Sequence, residues 1–193
     1  MDHSAPFTRM KIGFACGTLA VLVVAATSHA RSAYSAAEEL PLIGNTLGGT
    51  AFYRTCPANH VLTGFRYRSG FVLDAIVAIK CRPVRADGTL GAEVLAGSFA
   101  GGNGGTLANK SCGANQVIAG QQSGLPKLTA VSFFCVRWSA TSEAWFGSGD
   151  VLALVGPATT EMRKCSSSTQ PATGIRGRHG MVIDAIGLVC STP

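Results

Sequence analysis

Charge is scarce in this chain: Asp, Glu, Lys and Arg make up 13% of its 193 residues. Aromatic residues are scarcer still, at 7%. The charges are scattered, and no basic run exceeds two residues. That argues against a nucleic-acid partner, which needs a clustered basic patch with motif support. There is no Cys-x2-Cys pair, so a zinc site finds no support. There is no Gly-x-Ser-x-Gly elbow for a nucleophilic serine. The stretch GGTLANKS (104–111) has Asn109 where a phosphate-binding loop carries glycine before its lysine, here Lys110. His179 and Asp184 have no obvious nucleophile beside them, and nothing positions a carboxylate pair for glycoside hydrolysis. We therefore expect no enzyme, no cofactor and no metal. Helical periodicity is also missing: between Arg31 and Pro193 only Tyr34–Leu40 has the pattern of a short helix. Glycine, by contrast, is plentiful at 24 residues, which favours tight turns and short strands. The length fits one domain with a real core.

The N-terminus reads as a targeting segment. Arg9 and Lys11 precede an uncharged run, Ile12 to Ala26, and Ser28-His29-Ala30 supplies small residues at the cleavage positions. Residues 1–30 are therefore expected to be a secretory signal peptide, with the mature chain starting at Arg31. An uncleaved membrane anchor is the competing reading, but the apolar run is short for a bilayer and no second one follows. Cleavage removes Cys16, so seven cysteines become an even six, as suits an exported chain. It also removes two of the 16 basic and one of the 10 acidic residues, leaving a mildly basic +5. The expected location is secreted, periplasmic or extracellular. Residues 31–43 are expected to be a frayed tail.

The remaining cysteines disclose three repeats. They fall as Cys56/Cys81, Cys112/Cys135 and Cys165/Cys190, with separations of 25, 23 and 25. GGTAFYRTC (48–56) and GGTLANKSC (104–112) open two of the repeats alike. VLTG (61–64), VIAG (117–120) and PATG (171–174) follow the first cysteines, and Gly70, Gly124 and Gly180 end those segments. VLDAIVAIKC (72–81), LTAVSFFC (128–135) and VIDAIGLVC (182–190) close the repeats. Val61, Thr63, Phe65 and Tyr67 alternate with Arg66 and Arg68, the period of a strand. Three units of about 55 residues predict a closed threefold all-β body over 44–193, with repeats near 44–98, 99–150 and 151–193. The near-constant spacing predicts disulfides within each repeat, each worth roughly 3 kcal/mol by chain entropy.

GIRGRHGMVIDAIGL (174–188) resembles the closing segment of jacalin-related lectins over about fifteen positions, and GFRYRSGFVLDAI (64–76) is a looser copy. FAGGNGGT (99–106) is similar to the glycine-rich opening loop of that family, and IGNTLGGT (43–50) is a poorer copy. The repeat length and internal cysteines are also similar to vitelline membrane outer layer protein. The resemblance implies a threefold β-prism of Greek-key-like repeats, here stapled by disulfides. A cysteine pair in every repeat departs from the jacalin pattern, and 82–99 and 136–160 show little likeness.

The resemblance further implies a sugar-binding Gly-x-x-x-Asp loop, with glycans or glycoconjugates as partners. That pattern is Gly180-Met181-Val182-Ile183-Asp184, and again Gly70-Phe71-Val72-Leu73-Asp74. A carboxylate accepts hydrogen bonds from sugar hydroxyls and loop N–H groups donate back. Gly48 and Gly49 are the expected neighbours of Asp184, and Gly104 and Gly105 those of Asp74. Thr129 stands where the second repeat lacks the carboxylate. The competing reading of both aspartates is a turn cap, which would leave an extracellular structural or protein-interaction scaffold. Arg66/Arg68 and Arg176/Arg178 are read as a solvated strand face or an anionic-glycan groove. Trp138 and Trp145 are read as core aromatics or sugar-stacking rings, and His179 as an exposed loop histidine. Nothing in the sequence indicates an oligomeric state.

Overall fold

The computed structural model describes residues 36–124, 128–138, 146–158, 162–167 and 169–193, with backbone alone for 146–148. The expected signal segment with Cys16, and Trp145, lie outside these residues. The strands in chain order are β1 Glu38–Glu39, β2 Ile43–Gly44, β3 Thr50–Thr55, β4 His60–Ser69, β5 Leu73–Pro83, β6 Val94–Ala96 and β7 Ala100–Gly101. They continue as β8 Thr106–Ser111, β9 Gln116–Gly124, β10 Ala130–Arg137, β11 Phe146–Val155, β12 Arg163–Lys164, β13 Ala172–His179 and β14 Ile183–Cys190. No helix among the described residues is long and apolar enough to cross a membrane.

Three antiparallel sheets make a disulfide-stapled β-prism of three Greek-key-like repeats. Each is built on one hairpin: β4–β5 in the first, β9–β10 in the second and β13–β14 in the third. These hairpins are the alternating segments and closing segments of the sequence repeats. Their inward residues meet in a single core. Phe65 and Phe133 pack with ring centroids 4.6 Å apart. Ile76 and Ile79 from the first sheet, Ile118 and Val131 from the second, and Ile175 and Ile186 from the third join them. Burial of each such side chain contributes about 1.5–3 kcal/mol. One polar group crosses this interior. Gln121 is fully buried, donates to Pro41 O at 2.9 Å and accepts from Leu188 N at 2.8 Å, so it ties the second sheet to the third with its needs met.

The sheets do not coincide with the sequence repeats. The opening strand of each repeat leaves its own hairpin and pairs with the previous one. Thus β8 joins β4, β12 joins β9, and β3 joins β13 at the far end of the chain. The prism closes because an N-terminal strand completes a C-terminal sheet. The region expected as a frayed tail also differs. Glu38 and Glu39 pair with Cys190 and Val189, Ile43 and Gly44 pair with Ile186 and Ala185, and Leu40 is buried. The residues of 31–43 from Glu38 onward are therefore an integral edge of the third sheet, because the free side of β14 offers them backbone partners. Within the expected helix, Glu38–Glu39 is a strand for the same reason.

The disulfides are those expected: Cys56–Cys81, Cys112–Cys135 and Cys165–Cys190, with Cα separations of 5.7, 5.5 and 5.8 Å. Strand exchange gives them a role that the spacing did not reveal. The first cysteine of each pair extends an opening strand: the amides of Cys56, Cys112 and Cys165 donate to Thr173, Thr63 and Ala119 of the neighbouring hairpin. The second cysteine lies in the closing strand of its own repeat. Each bridge, though local in sequence, therefore joins two different sheets.

Candidate functional site

Both Gly-x-x-x-Asp segments are hairpin tips at the same kind of position. In the third sheet β13 ends at His179 and β14 begins at Ile183; in the first, β4 ends at Ser69 and β5 begins at Leu73. Gly180 N donates to Val182 O at 2.9 Å and Gly70 N to Val72 O at 3.1 Å, so both tips turn in the same way. Ile183 and Leu73 then plunge into the core. Strand alternation puts Asp184 and Asp74 on the opposite side, half-exposed. Met181 and Phe71 stand at the tips, 90% and 86% exposed.

A glycine-rich strap lies against each tip, as expected. Gly49 has φ +68°, and a Cβ there would stand 2.3 Å from Asp184 Oδ2. Gly105 has φ +61°, and a Cβ there would stand 2.4 Å from Asp74 Oδ2. Only glycine fits such a conformation at that distance. The partner glycines differ. A Cβ on Gly104 would meet Asp74 Oδ1 at 2.4 Å, whereas one on Gly48 would meet only Asn45 Nδ2, at 3.5 Å. Gly48 therefore belongs to the strap without pressing on Asp184. The main chain of each strap also grips the aspartate's own carbonyl: Asn45 N donates to Asp184 O at 2.7 Å and Gly102 N to Asp74 O at 3.0 Å.

Asp74 Oδ2 is buried and accepts no hydrogen bond from the described residues. A buried carboxylate oxygen is costly without a donor.

The arginines that alternate outward on the hairpins are placed more specifically than a solvated face requires. Arg178 directs Nε to Gly48 O and Nη2 to Gly49 O, at 2.5 and 2.7 Å. Arg68 repeats the fork on Gly104 O and Gly105 O, at 2.7 and 2.9 Å. A planar fork on two successive carbonyls fixes both peptide planes of the strap. These two positioning residues escaped sequence reasoning; their recurrence two residues before Gly70 and Gly180 was the available signal. Arg176 instead pairs with Glu39 at 3.1 Å. Arg176 is thus charge-paired, whereas Arg178 spends its donors on the neutral carbonyls of the strap.

His179 is not an exposed loop residue. It ends β13, half-buried, with its ring 5.8 Å from that of Phe52. Trp138 packs against the small cluster of Val61, Leu90 and Val117 and donates Nε1–H to Gly88 O at 3.1 Å. It stays half-buried and also lines a groove with Gln116, Arg137 and Asp150. The second sheet keeps the backbone device but lacks the carboxylate. Gly156, with φ +49°, lies over Thr129 O as Gly44 lies over Asp184 O and Gly101 over Asp74 O. Among the described residues no group of three or more His, Cys, Asp or Glu could hold a metal ion.

No family model matches this sequence, and no curated protein matches it. Solved structures do. Frutapin, a lectin from Artocarpus incisa, superposes with TM-score 0.53 at 11% identity, over 80% of this chain and 96% of that one. Artocarpin, solved in complex with mannotriose, gives TM-score 0.53 at 11% identity over 80% and 97%. A mannose-binding jacalin-related lectin from Ananas comosus gives 0.49 at 20% identity over 81% and 99%. The chain has the β-prism fold of frutapin and artocarpin.

Proposed function

We propose that this protein is an extracellular carbohydrate-binding protein that holds sugar at the Asp184 tip and at the Asp74 tip. The observation that carries the reading is the strap of left-handed glycine laid against each carboxylate, with Asp74 Oδ2 buried and undonated. A strap without side chains keeps the rim of the tip low, and the exposed part of the half-exposed carboxylate accepts from sugar hydroxyls. Arg178 and Arg68 hold the straps in shape before ligand arrives, which lowers the ordering cost of binding. No metal or cofactor enters. Export of the chain, with residues 1–30 removed, accords with three disulfides.

The test is a glycan array probed with the non-reduced protein, alongside the Asp74→Ala/Asp184→Ala double variant. Binding by the wild type that the double variant loses supports the proposal. Silence of the wild type on every glycan contradicts it. Artocarpin's complex makes mannotriose a sensible first ligand. A second reading, an interaction scaffold without sugar binding, is favoured by the exposed apolar tips Leu47, Phe71 and Met181. Capture of a protein partner by the array-silent double variant would support that reading.

A further inference from the structure

The two proposed sites share their tips and straps but not their surroundings. On the outer face of the third sheet a groove of about 340 Å³ is lined by Ala51, Tyr53, Glu39, Leu42, Arg176 and Arg178. Arg178 is common to the groove and the strap, since the same guanidinium holds Gly48 and Gly49. The groove thus begins where the Asp184 tip ends. From Gly49 to Tyr53 the strand covers about 13 Å, more than one sugar ring needs. Tyr53 is 47% exposed at its far wall, a flat ring of the kind that packs on sugar faces. Arg176 is neutralised by Glu39, and the charge of Arg178 is balanced by Asp184, which lies against the same Gly49, so tip and groove together carry no net charge.

The first sheet supplies an internal comparison. Aligning the two opening segments at their Gly-Gly-Thr sets Leu107 opposite Ala51 and Asn109 opposite Tyr53. Both sit at matching register positions: Ala51 faces Arg178 and Leu107 faces Arg68, while Tyr53 faces Arg176 and Asn109 faces Arg66. A leucine fills the space that Ala51 leaves, and the ring is gone.

We infer that the Asp184 site reads a neutral oligosaccharide, its terminal residue at the tip and the next residues along the groove to Tyr53, whereas the Asp74 site reads a terminal sugar alone. This rests on the sugar-binding reading of Asp184. Ala51→Leu tests it by installing the residue that the first sheet already tolerates. The probe is an array of mono- to tetrasaccharides ending in mannose, glucose, galactose or N-acetylglucosamine, with acidic versions of each. Asp74→Ala isolates the Asp184 site and Asp184→Ala isolates the other. With Asp74→Ala, neutral oligosaccharides should bind about tenfold tighter than their terminal monosaccharide, the size of one good contact. Adding Ala51→Leu or Tyr53→Asn should abolish that gain while monosaccharide binding and the melting temperature hold. Asp184→Ala should show no length preference. Equal binding of short and long neutral glycans by Asp74→Ala, a preference for acidic ones, or an Ala51→Leu variant that keeps the gain would overturn the inference and leave the tip reading intact. Absence of all binding by the wild type would remove both.

Discussion

The tips of the first and third sheets and the corresponding corner of the second differ in one instructive way. All three have a hairpin, an inter-sheet disulfide and a positive-φ glycine over the backbone of the residue at the aspartate position: Gly44, Gly101 and Gly156. Only two have the carboxylate, with Gly49 or Gly105 beside it. What is threefold serves the fold. What is twofold is not needed to close the prism, since the second sheet forms without it. That separation assigns the threefold devices to stability and leaves the twofold ones to the proposed binding.

The disulfides should give the largest effect and respect the threefold side of this division. Removing any one pair, for instance with Cys112→Ala/Cys135→Ala, should cost roughly 3 kcal/mol in denaturant unfolding. The three pairs should cost alike, since each joins two sheets; one pair costing nothing would break the symmetry. Next comes Gly49→Ala, which forces a Cβ into the left-handed region, at a cost of about 1–2 kcal/mol, and against both Asp184 Oδ2 and the carbonyl of His179. Gly48→Ala, with only Asn45 Nδ2 near, should be close to neutral in a thermal melt. Equal losses would mean that the left-handed, closely packed position of Gly49 is no more demanding than the open one of Gly48. Arg178→Lys keeps the charge but loses the fork. It should weaken sugar binding about three- to tenfold in a titration, about the worth of one hydrogen bond.

The smallest effect lies away from both sites. Glu93 crosses the outer face of the first sheet to Lys80, 2.9 Å away. Burial pushes its carboxyl up, but the bonds from Lys80 and Ser111 and the charge of Lys80 more than offset this and leave it below the ordinary glutamate value. A depressed carboxyl pKa stabilises the fold above the unfolded-state value of about 4.3 and loses that contribution as pH falls through the folded value. Glu93→Gln should therefore be less stable than the wild type near neutrality, and the two should converge in acid. A gap that persists at pH 2–3 would assign the effect to packing.

Much of this could be read from the residues. The cysteine spacing gave the pairing because each repeat must bridge itself in the same way three times. The family resemblance pointed to Gly48 and Gly49 beside Asp184 and to Gly104 and Gly105 beside Asp74; Gly49, Gly104 and Gly105 lie against those carboxylates and Gly48 does not. Three things were hidden for physical reasons. Which hairpin an opening strand joins depends on closure of the whole prism, and a repeat written from its own cysteine cannot express it. The edge strands at Glu38–Glu39 and Ile43–Gly44 are two residues long, and their order comes from the free side of β14. The forks of Arg68 and Arg178 run to backbone carbonyls 36 and 130 residues away, so alternation predicted their outward direction and nothing about their targets.

The central claim is that Asp184 is there for a ligand and Thr129 marks a site that has none. The most direct measurement is a binding titration of Asp184→Ala and Thr129→Ala on the best glycan of the array, each beside a thermal melt, in an Asp74→Ala background so that one site reports. Hydrogen bonds to a charged group contribute about 1.5–3 kcal/mol, so Asp184→Ala should bind roughly 10- to 100-fold more weakly at an unchanged melting temperature. Thr129→Ala should bind as its parent does. An Asp184→Ala variant that melts much earlier yet binds with undiminished affinity would make the carboxylate a structural cap and contradict the account.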